Sequence, residues 1–507
     1  MKITNNQRLI LGPPGCGKTT RSLNHISDAL ENRYEPDTIA FVSFTRKAIF
    51  EATDRACTKF NLISNDLPYF RTVHSMCFRA LRMSKQDMME RTKYKELGDI
   101  LGYKFEGTFD ESETGLPVGD ERGDRLLFLD NFARITCRSL RETWETADSG
   151  LDWYELERLS KTLAAYKDKK CLLDYTDLLT RFVARDKPLP IKMAIVDEAQ
   201  DLSTLQWQVL KVAFRDCEEL YIAGDDDQSI YRWSGADIDT FLSLEGEREV
   251  LHQSYRLPRA VYQKALRIIT DVPNRFEKPF APRDCEGSID RLPTIDYAVI
   301  KPEESTMILV RNVFLLARVQ NLLKGQGHPF LGRHGYSSIK REHVDAIYCW
   351  EDLQKGRTMP LKRVQNMFDH MLVGKFLARG AKAKMNAADK DLRFTQETLK
   401  KEYGLLKYDL WHEALEGIEL PMRAYYLSIM HSGRKLTEVP KVTIQTIHGV
   451  KGGEADHVIL LPDMSRRTYD DYVKNPVDEL RVAYVAVTRA KEKLSIISPS
   501  SQRAFQY

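Results

Sequence analysis

The sequence has no Cys-x-x-Cys pair, no long apolar run, no repeat of fixed period and no low-complexity tract. Its eight cysteines, Cys16, Cys57, Cys77 and Cys171 among them, are scattered. That spread speaks against a disulfide frame or a Cys/His zinc cluster and fits reduced thiols in a cytosolic compartment. No stretch approaches the roughly 20 apolar residues of a bilayer span, and the start MKITNNQRLILGPPG lacks the apolar core and cleavage site of a secretion signal. The expectation is a cytoplasmic protein with no membrane partner. A decisive net charge is also missing: 76 Lys and Arg against 73 Asp and Glu leave +3. That balance neither favours nor excludes nucleic acid, so local patches decide. What is present is 42% hydrophobic and 29% charged residues, the composition of a globular enzyme, in 507 residues. At about 100 to 200 residues per domain this length predicts two to four folding units.

Short apolar runs recur, each ending in a polar cluster: RLIL before GPPGCGKTT, IAFVSF before TRKA, KMAIV before DEAQD and ELYIAG before DDDQ. Buried parallel strands whose carboxyl ends carry chemistry read this way. A second set follows in EVLHQSYR, TMILVRN, KVTIQTIHG, DHVILLP and KLSIIS. Two α/β lobes are expected, divided near residue 246. Residues 83–171 and 336–439 instead carry apolar residues at three- and four-residue spacing, as in RLLFLDNFARITCRSL and LKRVQNMFDHMLVGKFLARG, and read as helical insertions.

Gly12, Pro13, Pro14, Gly15, Cys16, Gly17, Lys18 and Thr19 satisfy G-x-x-x-x-G-K-[ST] between an apolar strand and a helix pattern that opens with Thr20. In such a loop backbone N–H groups surround the β-phosphate and the helix N-terminus adds positive potential. Lys18 reaches the β- and γ-phosphates and the Thr19 hydroxyl ligates Mg²⁺. These residues predict ATP and Mg²⁺. The run IVDEAQD supplies the acidic partner: Asp197 for the Mg²⁺ shell and Glu198 to orient and deprotonate the attacking water. Without the phosphate loop, the same acids would read equally well as a helix cap.

In chain order, GPPGCGKT, FVSFTRKA, TVHS, VDEAQD, AGDDDQSIYRWSGA, QSYR, TIHGVKGGEADHVIL and VAYVAVTRAKEKL resemble motifs I to VI of superfamily 1 helicases of the UvrD/Rep/PcrA type. The resemblance implies two RecA-like parallel-sheet motor lobes, each interrupted by a mainly helical insertion. Lobe 1A would comprise 1–82 and 172–246, insertion 1B 83–171, lobe 2A 247–335 and 440–507, and a reduced insertion 2B 336–439. It further implies ATP between the lobes, translocation 3′ to 5′ along single-stranded DNA, and strand separation at 3′-tailed duplexes, with replication or repair proteins as partners in a bacterial or phage-infected cell. By the same resemblance Gln228 senses the γ-phosphate, Arg256 and Arg489 act as arginine fingers, Tyr255 stacks on adenine, and Gly453 and Glu454 meet the ribose. A guanidinium finger of this kind contributes about 10³ to 10⁵ in rate. Either arginine alone would read as a surface ion pair.

Phe44, Thr45, Thr72, His74, Tyr231, Trp233, Thr446 and His448 are the residues expected on the nucleic acid, aromatics stacking on bases for about 1–3 kcal/mol each. Lys47, Arg71 and Arg232 are candidate phosphate contacts. Gln7 stands only a few residues before Gly12, closer than the adenine-reading glutamine of the family. Two further readings stay open: a motor subunit that unwinds only with a partner, and a nucleotide-switched nucleic-acid-binding protein without turnover. The three aspartates of GDDDQSIYRWSGA are expected to cap and shape their turn.

Overall fold

Alternate residues of four largely buried strands divide between two cores, as expected of a sheet covered on both faces. The computed structural model describes every residue apart from 33, 44–45, 107, 110–116, 120 and 148. Strands β1 (Gln7–Leu11), β2 (Ile39–Ser43), β3 (Tyr69–Arg71), β4 (Met193–Asp197), β5 (Glu219–Gly224) and β6 (Glu247–Val250) form one six-stranded sheet in the order β3-β2-β4-β5-β1-β6. Every pairing in it is parallel. Leu9, Leu11, Ala40, Val42, Ala194, Val196, Leu220 and Ile222 enter one core. Ile10, Ile39, Phe41, Met193, Ile195, Tyr221 and Ala223 enter the other. Leu11 pairs with Gly224 and Ser43 with Asp197, so Gly12, Glu198 and Asp225 leave the sheet along one edge.

Glu247–Val250, grouped from sequence with the second set of strands, pairs instead with β1. The segment EREV is half-exposed and charged, the composition of an edge strand, so hydrophobic pattern gave it no clear allegiance.

By compactness the chain divides into two units, Met1–Ser288 with Asp470–Thr488, and Ile289–Tyr469 with Arg489–Tyr507. The first also holds the helices Arg91–Leu101, Arg122–Ile135 and Trp153–Lys170, packed around Tyr94, Leu97, Leu126, Leu156, Leu159 and Leu163. The second contains β7 (Ser288–Leu292, all but its first residue), β8 (Thr306–Val310), β9 (Phe330–Leu331), β10 (Val442–Thr446), β11 (Ala455–Leu461) and β12 (Ala490–Ile497), ordered β9-β10-β8-β11-β12-β7. A separate helical core between 339 and 436 is centred on Ile347, Trp350, Val364, Phe368 and Tyr426. Among the described residues no helix is long and apolar enough to cross a membrane.

Candidate nucleotide and strand site

β1 hands the chain to the helix Lys18–Asn32 through a loop that only glycine permits at two points. Gly15 and Gly17 have φ of +71° and +82°. A Cβ on Gly15 would also stand 2.3 Å from the Arg256 Cβ. The segment 254–256 lies against the loop and braces it: the Tyr255 N–H donates to the Gly15 carbonyl at 2.8 Å, and the Ser254 hydroxyl to that of Pro14 at 2.8 Å. The Cβ of Arg256 therefore packs against the phosphate loop at Gly15, while the Tyr255 ring is 71% exposed. Lys18 is buried, its Nζ donating to the carbonyls of Gly12 at 2.8 Å and Pro13 at 3.3 Å. Burial opposes its charge, but Cys16, Asp225, Glu198 and Asp197 outweigh burial and raise its pKa. Cys16 is buried, which pushes its thiol up, and its Sγ occupies the space that a side chain on Gly12 would need. It packs the loop. Thr20 is exposed on the first helical turn. Gln7, the candidate base reader, is buried and turned away, donating to the Glu245 carbonyl at 2.6 Å and accepting from the Ile3 N–H at 3.0 Å.

The acidic strand end meets this loop. The Thr19 hydroxyl donates to Asp197 at 3.2 Å. Burial first, then the charge of Glu198, push the Asp197 carboxyl up to about 7, against the pull of Lys18, the Glu198 N–H and Thr19. A hydroxyl and a carboxylate whose charge calls for a cation suit a hard divalent ion such as Mg²⁺, which takes few protein ligands and completes its shell with water and phosphate oxygens. Among the described residues there is no cluster of three or more His, Cys, Asp or Glu able to hold a metal. Glu198 follows in the left-handed region, φ 53° and ψ 38°, a conformation rare for a side chain of this kind and typical of functional strand ends. Its carboxylate accepts from Gln200 Nε2 at 2.6 Å.

The triple aspartate is not a metal site but the buried anchor of its loop. Asp225 caps the turn by accepting from the Asp227 N–H at 3.3 Å. All three carboxylates are buried and converge on Lys278, at 3.0 Å from Asp225, 3.1 Å from Asp227 and in closest contact with Asp226. Arg275 clamps Asp227 with two hydrogen bonds of 2.9 and 2.6 Å, and Arg481 Nε donates to the Asp226 carbonyl at 3.1 Å. Gln228 donates to Asp225 at 2.7 Å. Capping was expected from the sequence; the three cations from distant segments were not, because a lone Lys in NRFEKPF carries no local signal.

From this anchor the loop sends one aromatic inward and one out. Tyr231 is 7% exposed and Trp233 48%. Tyr231, expected on the strand path, is thus a packed residue, since the single tight turn 232–234 turns it into the unit and leaves Trp233 in solvent. Arg232 pairs with Asp239 at 3.1 Å and Asp478 at 3.8 Å, the surface-pair alternative for a phosphate contact. Thr72 caps the helix Val73–Ala80, accepting from the Ser75 N–H at 3.4 Å, and Arg71 donates to the Pro68 carbonyl at 2.7 Å. His74 presents a buried Nε2 with no partner among the described residues, and burial lowers its pKa to about 4. It offers a neutral ring rather than a cation. Thr72, His74, Phe78 and Tyr175 line a cavity of about 1110 Å³, together with Phe50, an aromatic 73% exposed that sequence reading missed. Phe44, Thr45 and the Lys47 side chain lie outside the described residues.

The second unit carries the remaining candidates. Thr446 ends β10 and His448 lies just beyond it, with Thr446 accepting from the Gly449 N–H at 3.1 Å. Arg489 is buried and donates to the Gly453 carbonyl at 3.2 Å, while the exposed Glu454 lies 4.0 Å from Lys491.

Comparison with known proteins matches residues 1–249 to the UvrD/REP helicase N-terminal domain and 414–501 to the UvrD-like helicase C-terminal domain. The chain is 27% identical over 317 residues to the ATP-dependent DNA helicase PcrA of Bacillus subtilis (strain 168), covering 57% of this chain and 40% of that protein. It is 24% identical over 357 residues to the ATP-dependent DNA helicase Rep of Buchnera aphidicola subsp. Baizongia pistaciae (strain Bp), covering 65% and 50%. The chain thus spans half the length of these relatives or less. A probable DNA helicase II homolog of Rickettsia felis aligns over 99% of this chain and 91% of its own length at 23% identity. N-terminal and C-terminal domain models of one family thus match in chain order over more than half of the residues, and the chain belongs to the superfamily 1 helicases of the UvrD/Rep/PcrA type.

Proposed function

We propose that the chain is an ATP hydrolase that moves 3′ to 5′ along single-stranded DNA and separates duplexes ahead of it. The observation that carries this reading is the shared sheet edge: Thr19 and Asp197 stand 3.2 Å apart, beside a loop that holds Gln228 at one end and the exposed Trp233 at the other. The N–H groups of Gly15 to Thr19 surround the nucleotide phosphates, and the Lys18 ammonium exchanges the loop carbonyls for phosphate oxygens. Thr19 and Asp197 would hold Mg²⁺, which when bound would supply Lewis-acid chemistry at the phosphoryl oxygens. Glu198 orients the attacking water and accepts its proton. Gln228 reports the γ-phosphate, and Arg256 and Arg489 stabilise charge on the transferring group. Trp233 stacks on a base, and the cavity beside His74 takes a neighbouring nucleotide. In this reading the helical segments between 83 and 171 and between 336 and 439 are the 1B and 2B insertions, and the protein acts in the cytoplasm with replication or repair partners.

The test is strand displacement from duplexes with a 3′ or a 5′ single-stranded tail, with ATP and Mg²⁺. Displacement from the 3′-tailed duplex supports the proposal in full. Displacement from the 5′-tailed duplex alone overturns the polarity. DNA-stimulated hydrolysis without displacement points to a motor that needs a partner, and no hydrolysis overturns the enzyme reading.

A further inference from the structure

Gln200 lies in the acidic motif but holds no place in the chemistry described above. Its side chain is fully buried, and both ends of the carboxamide are engaged. Nε2 donates to the Glu198 carboxylate at 2.6 Å, and Oε1 accepts the Asp225 backbone N–H at 3.0 Å. Its own carbonyl accepts the Ser229 hydroxyl at 3.1 Å. The Asp225 carboxylate in turn accepts from Gln228 at 2.7 Å. A continuous run of hydrogen bonds therefore joins Glu198, Gln200, Asp225 and Gln228.

Two features make the amide a link of fixed sense. Only the NH₂ end can face the carboxylate, because a flipped amide would set oxygen against oxygen and leave the Asp225 N–H opposite a donor. The strand end is also shaped to the amide: a Cβ on Gly224 would stand 2.7 Å from Gln200 Oε1 and 2.6 Å from the Phe241 ring. The loop beyond is held by Lys278, Arg275 and Arg481, so it moves as one piece rather than residue by residue.

We propose that Gln200 is a positioning residue that ties the hydrolytic carboxylate Glu198 to the loop bearing Gln228 and Trp233, so that the strand on Trp233 sets the rate of hydrolysis. The inference rests on the ATPase reading given above. When Gln228 exchanges Asp225 for the γ-phosphate, or a base presses on Trp233, the loop shift reaches Gln200 through the Asp225 N–H and moves Glu198 relative to the water. A link of this kind acts on turnover and leaves nucleotide affinity to the phosphate loop.

Two substitutions test it. Gln200→Met keeps the buried volume and loses both arms. Gln200→Glu keeps the size and the acceptor for the Asp225 N–H, and replaces the donor facing Glu198 with an oxygen. Steady-state ATP turnover is measured with and without a saturating oligo(dT), alongside KM for ATP. The link predicts that the oligo(dT)-stimulated kcat falls by about 10²-fold in both variants, the scale of a misplaced catalytic group. The basal rate falls less, so the stimulation ratio collapses, and KM for ATP stays within about twofold. If Gln200→Met does not fold, Gln200→Glu alone carries the test. A stimulation ratio in the folded variants equal to that of the wild type overturns the link while leaving the ATPase reading intact. Equal losses of basal and stimulated rate reduce Gln200 to general support of Glu198 and also overturn it. A wild type without hydrolysis overturns both.

Discussion

Lys278→Met should destabilise the first unit more than any surface change, because it removes one ammonium from three carboxylates at once. Lys278 is 1% exposed and lies 3.0 and 3.1 Å from Asp225 and Asp227, with Asp226 in closest contact. Burial disfavours its charge, yet the three carboxylates outweigh burial and raise its pKa. At an effective dielectric of about 20, one such pair attracts by about 5 kcal/mol, and desolvation cancels much of that. Removing one partner of a buried pair costs about 3–5 kcal/mol, since the other charge stays behind without compensation. For a folding unit of this size, at about 2.1 cal/mol/K per residue, that is a fall in melting temperature of about 5–8 °C. The assay is thermal unfolding of Lys278→Met, followed by the double variant with Asp226→Asn, which removes one stranded carboxylate and should restore part of the loss. A loss under about 1 kcal/mol, the range of an exposed pair, would refute the claim that this cluster anchors the loop.

Trp233→Ala should weaken binding of a labelled oligo(dT) by about 1–3 kcal/mol, read by fluorescence anisotropy; an unchanged Kd removes Trp233 from the strand path. Acid should destabilise the second unit through His457, which accepts or donates at Ser495 at 2.8 Å and has Nδ1 buried without a partner among the described residues. Burial, then the charge of Lys493, lowers its pKa to about 4. Between that value and the usual 6.5 the unfolded chain takes up a proton that the folded chain refuses, so stability is complete above about pH 6.5 and falls toward pH 4, by up to about 3 kcal/mol. Urea unfolding across this window should show a shallower slope for His457→Gln; an identical slope contradicts the assignment. Arg489→Ala should retain ATP binding and lose most turnover, about 10³-fold or more for a transition-state arginine, and unchanged turnover refutes that role.

The sheets and the phosphate loop were legible because their signals are local. Leu9, Ile10 and Leu11 precede a glycine pattern that has few alternatives, and the apolar runs ending in Asp197 and Gly224 read as buried parallel strands. β6 was misplaced because an edge strand of sequence EREV lacks the continuous apolar face that identifies its neighbours. Tyr231 and Trp233 stand two residues apart in one loop, and composition does not say which ring faces the core; the turn does. Lys278, Arg275 and Arg481 were invisible because buried ion pairs and hydrogen bonds form between segments about 50 to 255 positions apart, with no periodicity to mark them. Gln200 was quoted within its motif, but its meaning depends on which atoms its two ends meet.

On the proposed reading, one sheet edge joins ATP hydrolysis to a nucleic-acid strand. Phosphate release from ATP and Mg²⁺ with and without single-stranded DNA, in the wild type and in Lys18→Ala, tests it most directly. The expected result is turnover that DNA stimulates strongly and that Lys18→Ala abolishes. Turnover indifferent to DNA, or equal in the Lys18→Ala variant, would contradict it.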